Sequence, residues 1–327
     1  MGNKDIVSGD YMADNEHFAD AFNYFIYDGE KVIKPEDLSP AEAVKTAIVN
    51  KLDKIITTKK TRDVIKTLNV KRGDNITYVL LGIENQSEIH YAMPVRNLLY
   101  DALNYAAQVS ETEKEVRKTG KKTGDAEFLS GFTKDSRIYP VITLVINWSD
   151  KRWDGPRKLS DMFEKTDSRI LKFVNDYELK IIDPHDIKDF GKFHTMLGDV
   201  LEFIKYQNDE GYFQRALKKK GKDWVLDIDS INVINTFTDA KIAIAREKEG
   251  TMKMCRAAEV WVEKGETINL IKLVCRKMSK GKNAKEIAED LDEELDMITR
   301  IYEAAKDAES DFDVEKIFAK LKDEENQ

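Results

Sequence analysis

Asp63 and Glu84 stand on two short runs rich in β-branched residues, 63–68 and 77–84, separated by Lys71-Arg72-Gly73-Asp74-Asn75, and Gln86 follows the second run. Apolar runs around a turn of that composition predict a β-hairpin. A turn centred near Gly73-Asp74 sets position 63 opposite position 84 in antiparallel pairing. Alternation along the strand then places Gln86 on the face of Glu84, with Val79, Leu81 and Ile83 on the other face. Two like charges facing each other across a strand pair repel. A divalent cation between them removes the repulsion, and hard carboxylate oxygens suit magnesium, with water completing its shell. Such an ion polarises a phosphodiester oxygen and lowers the pKa of an attacking water. The register decides between readings, because a slip of one residue exchanges the faces. Without the ion, the same spacing describes an exposed hairpin with two solvated acids.

Several elements are expected to position this hairpin. Phe18, Ala21, Phe22 and Phe25 recur at helical spacing from Asn15 to Tyr27, and Asp28-Gly29 ends that helix. Glu16 and Asp20 lie one turn apart on it and fit either a solvated face or acids lent to the site. Ser39-Pro40 opens a second expected helix, Ala41 to about Thr57, whose Val44, Ile48, Leu52 and Ile55 form a core stripe. Lys60 and Arg62 follow, directly before Asp63, as candidate contacts to a phosphate backbone or as solvated charges. After Gln86 a helix is expected from Met93 to Val109, with Leu99, Leu103 and Ala106 inward and Arg96 and Tyr100 sharing a face. Arg96 suits a phosphate and Tyr100 a hydrogen bond or packing. The glycine-bearing stretch Glu113 to Gly124 reads as a charged loop in which Lys118, Lys121 and Lys122 could follow DNA. Ile138 to Trp148 is nearly unbroken apolar sequence, the pattern of a central strand covered on both faces.

The segments Thr61-Arg62-Asp63-Val64, Leu80 to Ser87 and Met93 to Asp101 resemble the recombination-promoting nuclease and putative transposase family. That family is a branch of the PD-(D/E)XK restriction-endonuclease-like superfamily. The similarity continues through Pro140 to Pro156 and Met252 to Ala258, and so covers most of the chain. The resemblance implies an α/β fold: a restriction-endonuclease-like core with a mixed central sheet flanked by helices, here followed by a mostly helical C-terminal extension. It also implies that Asp63 and Glu84 hold Mg2+, with Mn2+ as a substitute, and that Gln86 takes the position of the superfamily's lysine. A neutral amide orients water but lacks that lysine's charge. The implied activity is a metal-dependent DNA endonuclease linked to recombination or mobile elements. The alternative is a DNA-binding or assembly protein that keeps the nuclease fold with weak or no cleavage.

The organisation expected for the 327 residues is a nuclease-like core over 11–156, a mainly helical stretch over 157–250 and a helical region over 251–327. The middle stretch reads as helical over 159–163, 170–182, 186–207 and 239–264, with 174–182 strand-like enough to add an edge strand and Lys218 to Lys222 in a loop. Residues 284–303 read as a helix-turn-helix-like pair with Ile287, Ala288, Leu291, Leu295, Ile298 and Ile301 as its core. Glu293, Glu294, Asp296 and Glu303 against Arg300 make its second helix too acidic for a groove reader, which favours a structural or protein-contact use, including a homo-oligomer. The net charge of −8 argues against indiscriminate coating of nucleic acid without excluding local basic strips. Apolar residues make up 41% of the chain, enough for a core, yet no run approaches the roughly 20 apolar residues of a membrane helix. With no basic segment and apolar block at the N-terminus, and two cysteines, Cys255 and Cys275, outside any metal-ligand spacing, a cytoplasmic protein with reduced thiols is expected.

Overall fold

The computed structural model describes residues 2–41, 63–72, 75–119, 124–209, 211–221, 223–238, 240–242, 250–306 and 313–325. The chain forms two compact units, the first of residues 1–212 and 226–241, the second of 213–225 and 242–327. The fold is mixed α/β, with helices on both faces of one sheet and a helical C-terminal part.

A five-stranded sheet organises the first unit, in the order β1 (Leu38–Pro40), β2 (Val64–Arg72), β3 (Asn75–Gln86), β4 (Val141–Asn147) and β5 (Lys180–Ile182). β1, β2 and β3 run antiparallel in turn, whereas β4 is parallel to β3 and β5 parallel to β4. β4 is therefore interior, as its unbroken apolar sequence requires, and β5 is the edge strand expected within 174–182. Val64 pairs with Ile83, the register that puts position 63 at the level of position 84. Residues 73 and 74 of the turn lie outside the described residues.

Side-chain alternation assigns a helix to each face of the sheet. Ile65, Leu80 and Val141 pack with Tyr100, Leu103 and Ala107 of α3 (Met93–Thr119). Lys66, one residue along β2 and so on the opposite face, donates to the Ala13 carbonyl at 2.5 Å and to Asn15, with its ammonium over the Phe18 ring. Those partners belong to α1 (Asn3–Ala13) and α2 (Asn15–Tyr27). Burial pulls the Lys66 pKa down, and the carbonyl at the C-terminal end of α1 is a favourable place for the charge. Asp14 caps α2 by accepting from the Glu16 and His17 amides. Asp28 ends α2 in the left-handed region and Gly29 follows at φ +93. A Cβ at Gly29 would lie 2.7 Å from the Lys192 carbonyl oxygen, so this position excludes any other residue.

Several expected boundaries move. α3 continues to Thr119, and Glu113 to Thr119 is helix rather than loop, supported by the pairs Lys114–Glu111 and Arg117–Glu113. The inward stripe of α3 is also rotated from the expected one: Leu103 is buried, but Tyr100 and Ala107 replace Leu99 and Ala106. Over 186–207 the helix shortens to α4 (Leu197–Tyr206), because Asp183 and Asp189 accept from the His185 and Gly191 amides and make single turns instead. A single helical turn, Ser168–Leu171, overlaps the start of 170–182, and 3₁₀ geometry, Leu159–Met162, forms within 159–163. Lys218, Lys219 and Lys220 end a helix, Tyr212–Lys220, rather than lying in a loop. Residues 42–57 of the expected second helix fall outside the described residues. The first unit is completed by α5 (Ile228–Phe237), whose Ser230 meets the Tyr11 hydroxyl of α1.

In the second unit, Thr251–Lys253 is extended and α6 (Met254–Met278) starts inside the stretch expected to be helical over 239–264, of which residues 239 and 243–249 lie outside the described residues. α6 is followed by α7 (Ala284–Leu291), α8 (Leu295–Lys306) and α9 (Val314–Glu325), which bury Ile271, Val274, Ile287, Ile298, Ile301 and Ile317 together. α7 and α8 are the expected short pair, joined through Asp292 in the left-handed region. Leu295 departs from its expected core role at 48% exposure, because it opens α8 a turn before the buried stripe of Ile298, Ile301 and Ala305 begins. Both cysteines are free thiols, and burial raises the pKa of Cys275.

Candidate active site

The hairpin carries Asp63 and Glu84 to the same rung. Asp63 precedes β2, and its Oδ2 accepts the Asn85 amide at 2.7 Å, which fixes the carboxylate against the end of β3. Glu84 is 0% exposed and lies on the face that α3 covers. From the first turn of α3, Arg96 places Nη2 3.0 Å from Glu84 Oε2, and its guanidinium sits 5.7 Å from the Tyr100 ring centre. Burial alone would lower the pKa of Arg96, but Glu84, then Tyr100, then Asp63 raise it. The Tyr100 hydroxyl is pushed up by burial and by Glu84, against the opposing pull of Arg96. These four side chains thus form one electrostatic cluster, in which the guanidinium is the counter-charge of a buried carboxylate.

Gln86, on the same face and buried, donates Nε2 to the Asn85 carbonyl at 3.0 Å. One of its two amide hydrogens is therefore engaged by the main chain. Asn85 is itself pinned from the other face, where Trp148 Nε1 donates to Asn85 Oδ1 at 2.8 Å. Trp148 is wedged against Phe237 and Tyr11 at ring distances of 5.4 and 6.4 Å. The orientation of Asp63 is traceable through Asn85 to a packed indole. On the α3 face, Asp101 accepts from Thr143 and from Tyr177, both at 2.6 Å, which ties the helix to β4 and to the approach to β5.

The other candidate residues divide. Asp20 is buried, but its carboxylate accepts the His194 and Thr195 amides and the Thr195 hydroxyl, at 2.7 to 3.0 Å. α2 lies on the Lys66 face, across the sheet from Glu84, so neither Asp20 nor the exposed Glu16 is brought to the hairpin acids. Both instead line a cleft of about 270 Å³ with Asn23, Lys31 and Lys34. Lys118 is exposed near the end of α3, while Lys60, Arg62, Lys121 and Lys122 lie outside the described residues.

The donor set fits magnesium in kind: two carboxylates on one face, with waters to complete the shell, is an ordinary way of holding it. Among the described residues no three of His, Cys, Asp or Glu cluster as a ligand set, so an ion here would rest on Asp63 and Glu84 with water. Asp63 is half-buried and the Arg96 side chain 19% exposed, and the cluster reaches the surface on their side. No described helix is long and apolar enough to cross a membrane. No family model, no curated protein and no solved structure matches the chain.

Asn85 with Trp148, Asn97 and Asp101 escaped the reading of the sequence. The signal for the α3 residues was present, since Asn97, Asp101 and Asn104 recur at three and four along a helix that had to bury a face.

Proposed function

We propose that the chain is a magnesium-dependent DNA endonuclease that hydrolyses phosphodiester bonds on a restriction-endonuclease-like core. The observation that carries the reading is the convergence of Asp63 and Glu84 from adjacent strands, the first held by the Asn85 amide and the second by Arg96. The order of the described elements supports it: a helix, an antiparallel strand pair, a helix, then a strand parallel to the second of the pair, close to the order the family resemblance implies. Asp63 and Glu84 would hold the ion, which supplies polarisation of the phosphoryl oxygen and a more acidic water. Arg96 brings from α3 the positive charge that Gln86 lacks, and its planar donors suit a phosphate oxygen. Asn85 keeps Asp63 aimed, and α3 keeps bulk water from Glu84.

Plasmid DNA incubated with the protein and Mg2+ should be nicked, and Asp63→Ala and Glu84→Gln should each lower the rate about 10²-fold or more. Equal nicking by Asp63→Ala overturns the assignment. A second reading, a DNA-binding or assembly protein on the same fold, is favoured by the complete burial of Glu84 and its neutralisation by Arg96. Salt-sensitive DNA binding with no metal-dependent product selects it.

A further inference from the structure

We propose that Asn97 is a positioning residue, holding a water against Glu84 in the hairpin site; the inference rests on the nuclease reading. Asn97 follows Arg96 on α3, is 0% exposed, and neither its Oδ1 nor its Nδ2 has a hydrogen-bond partner in the protein. Its direction follows from the residues one turn away on the same stripe. Met93, four before it, packs with Val145, Trp153 and Leu179. Asp101, four after it, takes the Thr143 hydroxyl. Asn97 therefore lies over β4 between Val145 and Thr143, whose partners on β3 are Glu84 and Gly82. Gly82 raises no side chain beneath it, so Glu84 is the polar wall of that space.

The chemistry at this place specifies a small occupant. Asn97 offers a donor and an acceptor, Arg96 adds an Nε with no acceptor, and Glu84 presents a carboxylate. A water satisfies all of these roles, donating to the carboxylate and to Oδ1 while accepting from Nδ2 or Nε, within the usual two to four partners of a buried water. A phosphodiester does not fit the description, since Asn97 has no exposure. A buried amide without partners lowers stability, and the bound water gives Asn97 a reason to be polar.

The test compares full-length wild type, Asn97→Leu and Asn97→Ser. Leucine displaces that water and leaves the Glu84 carboxylate and Arg96 Nε without it, so metal-free Asn97→Leu should melt below wild type. The same variant should lower kcat for plasmid nicking about tenfold or more at unchanged KM, a loss of positioning rather than of binding. With Mn2+ as the probe, its affinity should hold while the relaxation enhancement of water protons by the bound ion falls. Asn97→Ser, which keeps a hydroxyl and adds no bulk, should recover most of the enhancement and the rate. Wild-type enhancement and kcat in Asn97→Leu, or in Asn97→Ser a loss as large as in Asn97→Leu, overturns the proposal. Failure of the nuclease reading shows separately, as wild type that neither binds Mn2+ nor nicks DNA differently from Asp63→Ala.

Discussion

A carboxylate shut away from water keeps its charge only beside a partner, and for Glu84 that partner is Arg96, 3.0 Å away. Arg96 supplies the compensation that two facing acids demand, from a side chain rather than from an ion. Removing one member of a buried pair strands the other, so Arg96→Gln should cost about 3–5 kcal/mol of stability in the metal-free protein. Urea denaturation measures that loss. Mg2+ or Mn2+ should return part of it in the variant and add less to wild type, because the guanidinium and the ion answer the same charge. An undiminished midpoint for Arg96→Gln would overturn the stabilising role of the pair. At this scale the sequence was partly legible: the spacing of Asp63 and Glu84 around a turn carried their register, and Arg96 was placed near them. What no spacing carried was the engagement of each group, such as the Gln86 amide turned onto Asn85 or the Asp20 carboxylate taken up by residues 194 and 195.

At the scale of elements, legibility followed the number of coinciding signals. β2 and β3 combine β-branched runs with turn residues, and β4 combines apolar continuity with length, so all three were readable. α2 had a periodic face and a clear stop at Asp28-Gly29. The end of α3 was not readable, because lysines and threonine near glycine resemble a loop until the pairs Lys114–Glu111 and Arg117–Glu113 are seen to form. The rotation of its buried face was equally hidden, since the buried Asp101 accepts from Thr143 and Tyr177, far away in sequence. α7 was legible through its apolar stripe, and the structure adds an Asn283–Glu286 capping box at its start. Its tether to α6 is Asp290, whose carboxyl Lys277, then Lys282, hold down at about 2. A depressed carboxylate stabilises above its ordinary pKa, about 4, and loses that contribution as pH falls toward 2. Asp290→Asn should therefore melt below wild type near neutral pH, with the difference closing as pH falls from about 4 to about 2. A gap independent of pH would assign the loss to packing instead.

For the whole molecule, a net charge of −8 means that any affinity for DNA must come from a local strip. Lys60, Arg62, Lys118, Lys121 and Lys122 are the cations proposed for it. If all of them neutralise phosphates, the logarithm of the association constant should fall with the logarithm of salt concentration at a slope of about −4 to −5. Fluorescence anisotropy on a labelled duplex reads that slope, and a value near zero would remove the strip. The cation that neutralises the hairpin acids has a different consequence, for how the chain comes together. Residues 63–86 leave the ribosome before Arg96 does, and until α3 docks their two strands bring acid against acid. The strand pair then gains its counter-charge only when α3 docks, which adds a contact from beyond the hairpin to what holds the hairpin closed.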